Sequence, residues 1–396
     1  MLSIFQESLV EFAWREGRSH ELRDIDLTCT PLHGMPEIEA GYFRSPGTKL
    51  FHDFCAKMTS VLQHTLVRGH VTDIINMGAN YEVCIRGSTD KLYAKHVVLA
   101  LGTAGPPMMP AVFKSLATNK NMRPRVMHTS DWKNLAAMEM NNLDRVLVIG
   151  GGLSAAQAAL LAVRGGVRHT VLCSRRPLVE RHYDLPLEFM DRRGHNKWKE
   201  WFFLSAADRV QFVKRARGGG SVPPDYMQAL YEAVHAKHLK LEVKSVQHAT
   251  PTEDGIFVEF DDGSTFHASF VILGTGSAQD CLQVPLMASL ASRYNLLMQN
   301  GLPLLDEDLQ WHDRVTVVGS LASGQLGPDA GNLTGARRAA SICADNIGVV
   351  DYLSVSGAIL GNMYGALSDE GDDSSDDSGT SSSEEPSDSN TSSSEE

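Results

Sequence analysis

The sequence predicts an α/β fold of two nested units with parallel sheets, and three observations predict it. The first is "RVLVIGGGLSAAQAALLAVRGG", residues 145–166, where an apolar strand, a glycine turn and an Ala/Leu-rich helix follow directly on one another. The second is an internal echo between "GSTDKLYAKHVVLALGT" at 87–103 and "GSTFHASFVILGT" at 263–275. Both segments share a Gly-Ser-Thr opening, an alanine, an apolar strand and a Gly-Thr ending, and each follows a β-rich run, "YEVCIRG" or "IFVEFDDG". The third is the alternation of strand-like and helical segments through the body of the chain.

Composition narrows the class. At 396 residues, 42% of them hydrophobic, the chain can fill two cores. The formal charge of −12 is misleading about the body. From Ser368 onward, "SDEGDDSSDDSGTSSSEEPSDSNTSSSEE" holds 11 of the 48 carboxylates and no basic residue, which leaves 37 acidic against 36 basic residues elsewhere. A tail without aromatic or β-branched aliphatic residues cannot bury enough surface to fold, so disorder is expected over 368–396. Its serines beside carboxylates make it a candidate partner for an acid-directed kinase. The chain contains no apolar run of 18 residues, and Glu7 and Glu11 interrupt its start, so a cytoplasmic protein is expected. Cys29, Cys55, Cys84, Cys173, Cys281 and Cys343 have no metal or redox-pair spacing, and no metal is expected.

Along the chain, residues 1–40 contain no strand-glycine-helix segment. "AGPPMMPAVF" at 104–113 has the prolines of a crossover between domains. In the central stretch, Gly150, Gly152 and Ala155 fit G-x-G-x-x-A. Gly150 permits the tight turn, Gly152 lets the backbone approach a pyrophosphate, and Ala155 lets helix and strand pack closely, with Ser154 at the helix start. The pyrophosphate is then held at the positive helix N-terminus. The next strand, "HTVLC", ends in Ser174, Arg175 and Arg176 where an NAD site would place an acid, and this favours NADPH.

Residues 186–226 interleave basic and aromatic side chains. Nucleic acid could use them, but Trp198, Trp201 and Phe202 fall close to helical spacing. One face packed on the body, as a lid over nicotinamide or substrate, is therefore the preferred reading. A further strand, "RVTVVGS" at 314–320, leads into "GPDAGNLTGARRAASICADNI".

These strand ends, together with "VMHTSDW" at 126–132 and the Gly-Pro…Asn-Leu-x-Gly segment, resemble the two-dinucleotide-binding-domain flavoproteins. Within that group they look most like flavin-dependent monooxygenases of the lysine and ornithine N-hydroxylase branch. The resemblance implies FAD beside Gly102 and along Gly319, Gly327, Asn332 and Leu333, with Thr334 opening the helix behind. It also implies hydride transfer from NADPH to FAD, then O₂ activation to oxidise a small-molecule substrate. Ser320 replaces the family's usual acid after Gly319. His128, His182, His195 and His235 form no catalytic pattern, and no catalytic residue is nominated. The alternative is a non-catalytic regulatory protein, similar to the oxidative-stress-induced growth inhibitors.

The expected domains are an FAD-binding type over 1–135 and 281–350, and an NADPH-binding Rossmann unit over 140–280 carrying the 186–226 insertion. Gly150 and Gly274 are 124 residues apart, and the same distance before Gly102 falls ahead of Met1. The fingerprint at 150–155 is thus the second of an expected two, and the first is expected to be absent from this chain, by shortening or by loss. Weak FAD binding, poor folding of the chain alone and little NADPH oxidation are the expected consequences.

Arg175 and Arg176 give a direct test of cofactor choice. Changing both to Ala should weaken NADPH binding by about 1.5–3 kcal/mol more than NADH binding, the contribution of a charge-assisted phosphate contact. Titration calorimetry with the two nucleotides measures the difference, and equal losses contradict the assignment.

Overall fold

The structure, a computed structural model, describes residues 3–24, 44–62, 64–102, 105–118, 125–185, 200–278 and 280–348. The tail from Ser368, Cys29, His195 and Trp198 lie outside them. Ser3–Arg15 (α1) packs on Thr48–Val61 (α2) through Leu9, Phe12, Leu50 and Phe54, and Leu22–Asp24 (β1) pairs antiparallel with Arg44–Pro46 (β2).

The echo in the sequence is an echo in topology. Val71–Asn76 (β3), Tyr81–Ile85 (β4) and Leu92–Ala94 (β5) form an antiparallel meander that runs into Val97–Leu99 (β6). Later in the chain Val246–Pro251 (β11), Ile256–Phe260 (β12) and Thr265–Ala268 (β13) form a second meander, which runs into Phe270–Leu273 (β14). The two closing strands differ in their neighbours. The later one lies in a five-stranded parallel sheet between Val126–His128 (β7) and Arg145–Ile149 (β8), and beyond β8 come His169–Ser174 (β9) and Leu239–Val243 (β10). The earlier one, β6, pairs with Val315–Val317 (β18), itself antiparallel to Gln310–His312 (β17); a short hairpin, Met298–Gln299 (β15) and Leu302–Pro303 (β16), precedes them. Among the described residues, β6 is an edge strand.

Continuous apolar strands such as "RVLVI" and "FVIL" suit a sheet covered on both faces. Period-two alternation sends Val146, Val148 and Ile272 to one face, beneath Leu153–Arg164 (α5) and Pro224–His235 (α7). Leu147, Val271 and Leu273 go to the other, where Ala111–Thr118 (α3) and the second meander cover them through Phe113, Ile256 and Val258. Trp132–Ala137 (α4) follows β7, and Ala206–Arg217 (α6) precedes α7. A second core gathers Ile74, Tyr81, Leu99, Val315 and Val317 against Pro285–Tyr294 (α8) and Leu333–Ile347 (α10), with the short helix Ser323–Leu326 (α9) before the latter.

From residue 105 on, the proline stretch is more ordered than a bare crossover. Pro107 bridges Ser277, the Met108 N–H donates to the Gly276 carbonyl at 2.8 Å, and α3 starts immediately after Pro110. The connection is thereby pinned to the end of β14.

All five alanines of α5, from Ala155 to Ala162, are fully buried on the sheet, and the tightest point is Gly274. A Cβ there would stand 2.7 Å from Ala155 Cα. Gly274→Ala should therefore cost about 1–3 kcal/mol through overpacking. Thermal or urea unfolding checks this, and an unchanged stability would show that helix and strand can separate at no cost.

Candidate functional site

β8 ends at a turn whose geometry demands glycine. Gly150 has φ +149°, its N–H donates to the Cys173 carbonyl at 2.9 Å, and a Cβ on it would lie 2.2 Å from the Gly274 carbonyl oxygen. Ala155 is fully buried against Gly274, while Ser154 is exposed beside it at the start of α5. Gly152 caps α5, and its carbonyl accepts from the Ala155 and Ala156 N–H groups. The three small residues singled out in the sequence thus form one strand-turn-helix corner.

β9 brings Ser174 to the edge of this corner. Its hydroxyl donates to the Arg176 carbonyl at 2.6 Å, and Arg175 and Arg176 are exposed just beyond. Across the turn lies a stretch not singled out in sequence, Gly218-Gly219-Gly220, at the C-terminus of α6. A Cβ on Gly219 would meet the Arg176 guanidinium at 2.8 Å, and one on Gly152 would meet Gly220 Cα at 3.2 Å.

The other group of nominated residues lies at the ends of β6 and β18. Gly102 and Gly319 both have positive φ, +74° and +75°, and the Val318 N–H donates to the Leu99 carbonyl at 3.1 Å, which holds these strand ends side by side. A Cβ on Gly102 or Gly319 would meet nothing within 4 Å. After α9, Gly327 turns with φ +99°, and Asn332, rather than Thr334, caps α10, so Leu333 is its first residue and is exposed.

What fixes the 327–332 loop is a fully buried carboxylate, Asp329. Arg338 on α10 holds it with two bonds, at 2.6 and 2.8 Å, and donates also to the Leu326 carbonyl at 2.7 Å. Burial pushes the Asp329 carboxyl above its usual range, and Arg338 pulls the other way. The sequence offered only "PDAGNLTGARR" as a signal, an Asp in an apolar loop with an Arg nine positions on.

α6 connects the two groups. Its last residue, Arg217, donates to the Pro328 carbonyl at 2.9 Å and pairs with Asp184. Upstream, Arg209 donates to Gln325 Oε1 at 2.7 Å, and the Trp201 indole donates to the Gln325 carbonyl at 3.1 Å. Trp201 is buried against Phe212, as its spacing suggested, but Phe202 is 62% exposed and does not share that face. A cavity of about 230 Å³ lies between α6 and residues 299–305 and 324–325. Among the described residues Arg209 is the one charged residue lining it, which does not suit a cationic substrate.

His128 is buried, accepts the Ser130 N–H on Nδ1 at 3.0 Å, and is held below its usual pKa by burial. Burial pushes the Cys173 thiol up to about 11 and the Cys281 thiol up to about 12. Among the described residues no cluster of ligating side chains could hold a metal, and no helix is long and apolar enough to cross a membrane.

Residues 44–253, more than half of the sequence, match the family model described as L-lysine 6-monooxygenase/L-ornithine 5-monooxygenase. The chain belongs to this monooxygenase family. Solved structures with the same fold include the ornithine hydroxylase PvdA of Pseudomonas aeruginosa, at 20% identity and TM-score 0.59, covering 82% of this chain and 78% of that one. The cadaverine monooxygenase DfoA of Erwinia amylovora, bound to FAD, gives 16% identity and TM-score 0.63 over 86% and 78% of the two chains. The ornithine N-hydroxylase KtzI of Kutzneria sp. 744, with reduced FAD, NADP+ and L-ornithine, gives 19% identity and TM-score 0.62 over 85% and 81%. No curated protein matches the chain. Membership bears out the monooxygenase resemblance and disfavours the regulatory alternative.

In this member of the monooxygenase family, the loop at 327–332 depends on one ion pair. Arg338→Met should destabilise the protein by about 3–5 kcal/mol at neutral pH, because Asp329 is left buried and unpaired. A carboxyl whose pKa is raised on folding favours the native state below its unfolded value, and that advantage is lost as pH rises through the folded value. The deficit of the variant should therefore shrink at about pH 5 relative to about pH 8 in urea unfolding. A loss independent of pH would contradict the unpaired-charge account.

Proposed function

We propose that this chain is an NADPH- and FAD-dependent monooxygenase acting on a small primary amine. The observation that carries the reading is the corner of Gly150, Gly152 and Ala155 closed on Gly274, with Ser174, Arg175 and Arg176 at the neighbouring strand end instead of an acid. The amine follows from the names of the family and of its structural neighbours, which include lysine, ornithine and cadaverine monooxygenases. When bound, FAD reduced by NADPH supplies the electrons that activate O₂. The protein's part is to bind and orient. The corner and the α5 N-terminus suit a pyrophosphate, and the basic pair suits a 2′-phosphate. The open faces of Gly102 and Gly319 leave room for the flavin. A cytoplasmic location, and an acid-directed kinase acting on the tail, belong to the same proposal.

The FAD side supports a second element of the reading. β14 has a parallel neighbour on each side, whereas β6 has β18 on one side and an open edge on the other among the described residues. Gly274, where β14 ends, is packed against the fingerprint helix, while Gly102, its counterpart after β6, has nothing within 4 Å. The open side of Gly102 supports seating the flavin at the ends of β6 and β18.

We expect the chain to bind FAD and, with it, to oxidise NADPH and consume O₂ faster when a primary amine is present. Flavin absorbance and NADPH-dependent O₂ consumption with a panel of diamines and basic amino acids, with detection of the hydroxylamine product, test both elements. Failure of the chain to take up FAD overturns the flavin reading. No amine-dependent turnover overturns the proposed activity.

A further inference from the structure

The second glycine of a dinucleotide fingerprint is bare so that pyrophosphate can come close to the backbone. Here that bare face is taken by protein. A Cβ on Gly152 would stand 3.2 Å from Gly220 Cα, and a Cβ on Gly220 would stand 2.8 Å from Gly152 Cα and 3.1 Å from its nitrogen. A pyrophosphate on Gly152 and the backbone of Gly220 therefore need the same space.

The segment that fills it is built to move. Gly218 and Gly219 have φ +61° and +89°, all three glycines are exposed, and glycine crosses between backbone regions with the least steric obstruction. The ends are fixed. Beyond the turn, the Val222 N–H donates to the Val179 carbonyl at 2.9 Å and the Arg181 N–H to the Val222 carbonyl at 3.0 Å. Before it, Arg217 is tied to Asp184 and to the Pro328 carbonyl on the flavin-side loop.

We propose that Gly218-Gly219-Gly220 is a displaceable cover over the dinucleotide turn, moved aside when a pyrophosphate takes the face of Gly152, with Arg217 as its tether to the 327–332 loop. The inference rests on the NADPH reading above and adds to it a coupling. Displacing the turn shifts the backbone next to the guanidinium that holds Pro328, so nucleotide binding at one unit is felt at the loop of the other.

The test uses the full chain and NADP+ as the probe, in titration calorimetry and hydrogen exchange. Gly220→Ala cannot seat against Gly152, so it should bind NADP+ more tightly than the unaltered chain, by about fivefold if the cover is closed four-fifths of the time. Arg217→Ala, which releases the tether, should shift affinity in the same direction. In the unaltered protein, amides 218–222 should exchange faster with NADP+ bound. If the unaltered chain binds NADP+ and both variants bind it equally or more weakly, or if NADP+ slows exchange over 218–222, the cover is overturned and the NADPH reading stands. If neither the unaltered chain nor either variant binds NADP+, the NADPH reading falls, and the cover with it. Should Gly220→Ala fail to fold, Arg217→Ala and the exchange measurement decide.

Discussion

The contact of Gly274 with Ala155 is the constraint on which the second unit is built. With no side chain on Gly274 and one methyl on Ala155, α5 lies directly on the end of β14. Only at that approach does the chain leaving β8 turn through Gly150, whose absent Cβ would otherwise strike the Gly274 carbonyl. The alanines of α5 extend the contact along the sheet, and hydrophobic burial on both faces holds it closed. A larger residue anywhere in this triangle would separate the helix from the strand and carry the turn away with it.

The same sequence pattern has different consequences in the two units because its neighbours differ. Gly102 and Gly274 each end an apolar strand after an antiparallel meander. Gly274 is packed, whereas Gly102 needs glycine for its φ of +74° and has open space around it. The glycine records the fold's repeat; whether its bare face meets protein or ligand is set by which strands lie alongside.

Polar contacts do the joining. The two cores are each apolar, but the links of Trp201 and α6 to the 324–328 segment include hydrogen bonds from Trp201, Arg209 and Arg217 to backbone and amide oxygens. Such directional contacts fix one arrangement more sharply than apolar packing does, at a cost if a partner is lost. Asp329 is the extreme case, a fully buried carboxylate that stays compatible with the fold because Arg338 meets both of its oxygens.

Much of this was legible in the sequence. The strand-turn-helix at 145–166, the repeated meander and strand, and the roles of Gly150 and Ala155 follow from local rules, because strand periodicity, glycine stereochemistry and helix propensity act over a few residues. The serine and two arginines at the end of β9 were legible for the same reason. Phe202 was not, since helical spacing cannot say which of two adjacent aromatics faces the body. Arg217, Asp329, Arg338 and the glycines at 218–220 were also beyond reach. Their meaning lies in contacts across long sequence separations, 111 residues from Arg217 to Pro328, and a side chain's donors do not reveal their acceptor until the chain has folded. The sequence by itself determined the two repeated units and the corner that suits a dinucleotide. Only the tertiary structure decided what stands against that corner, because occupancy of space is settled by packing between segments and not within them.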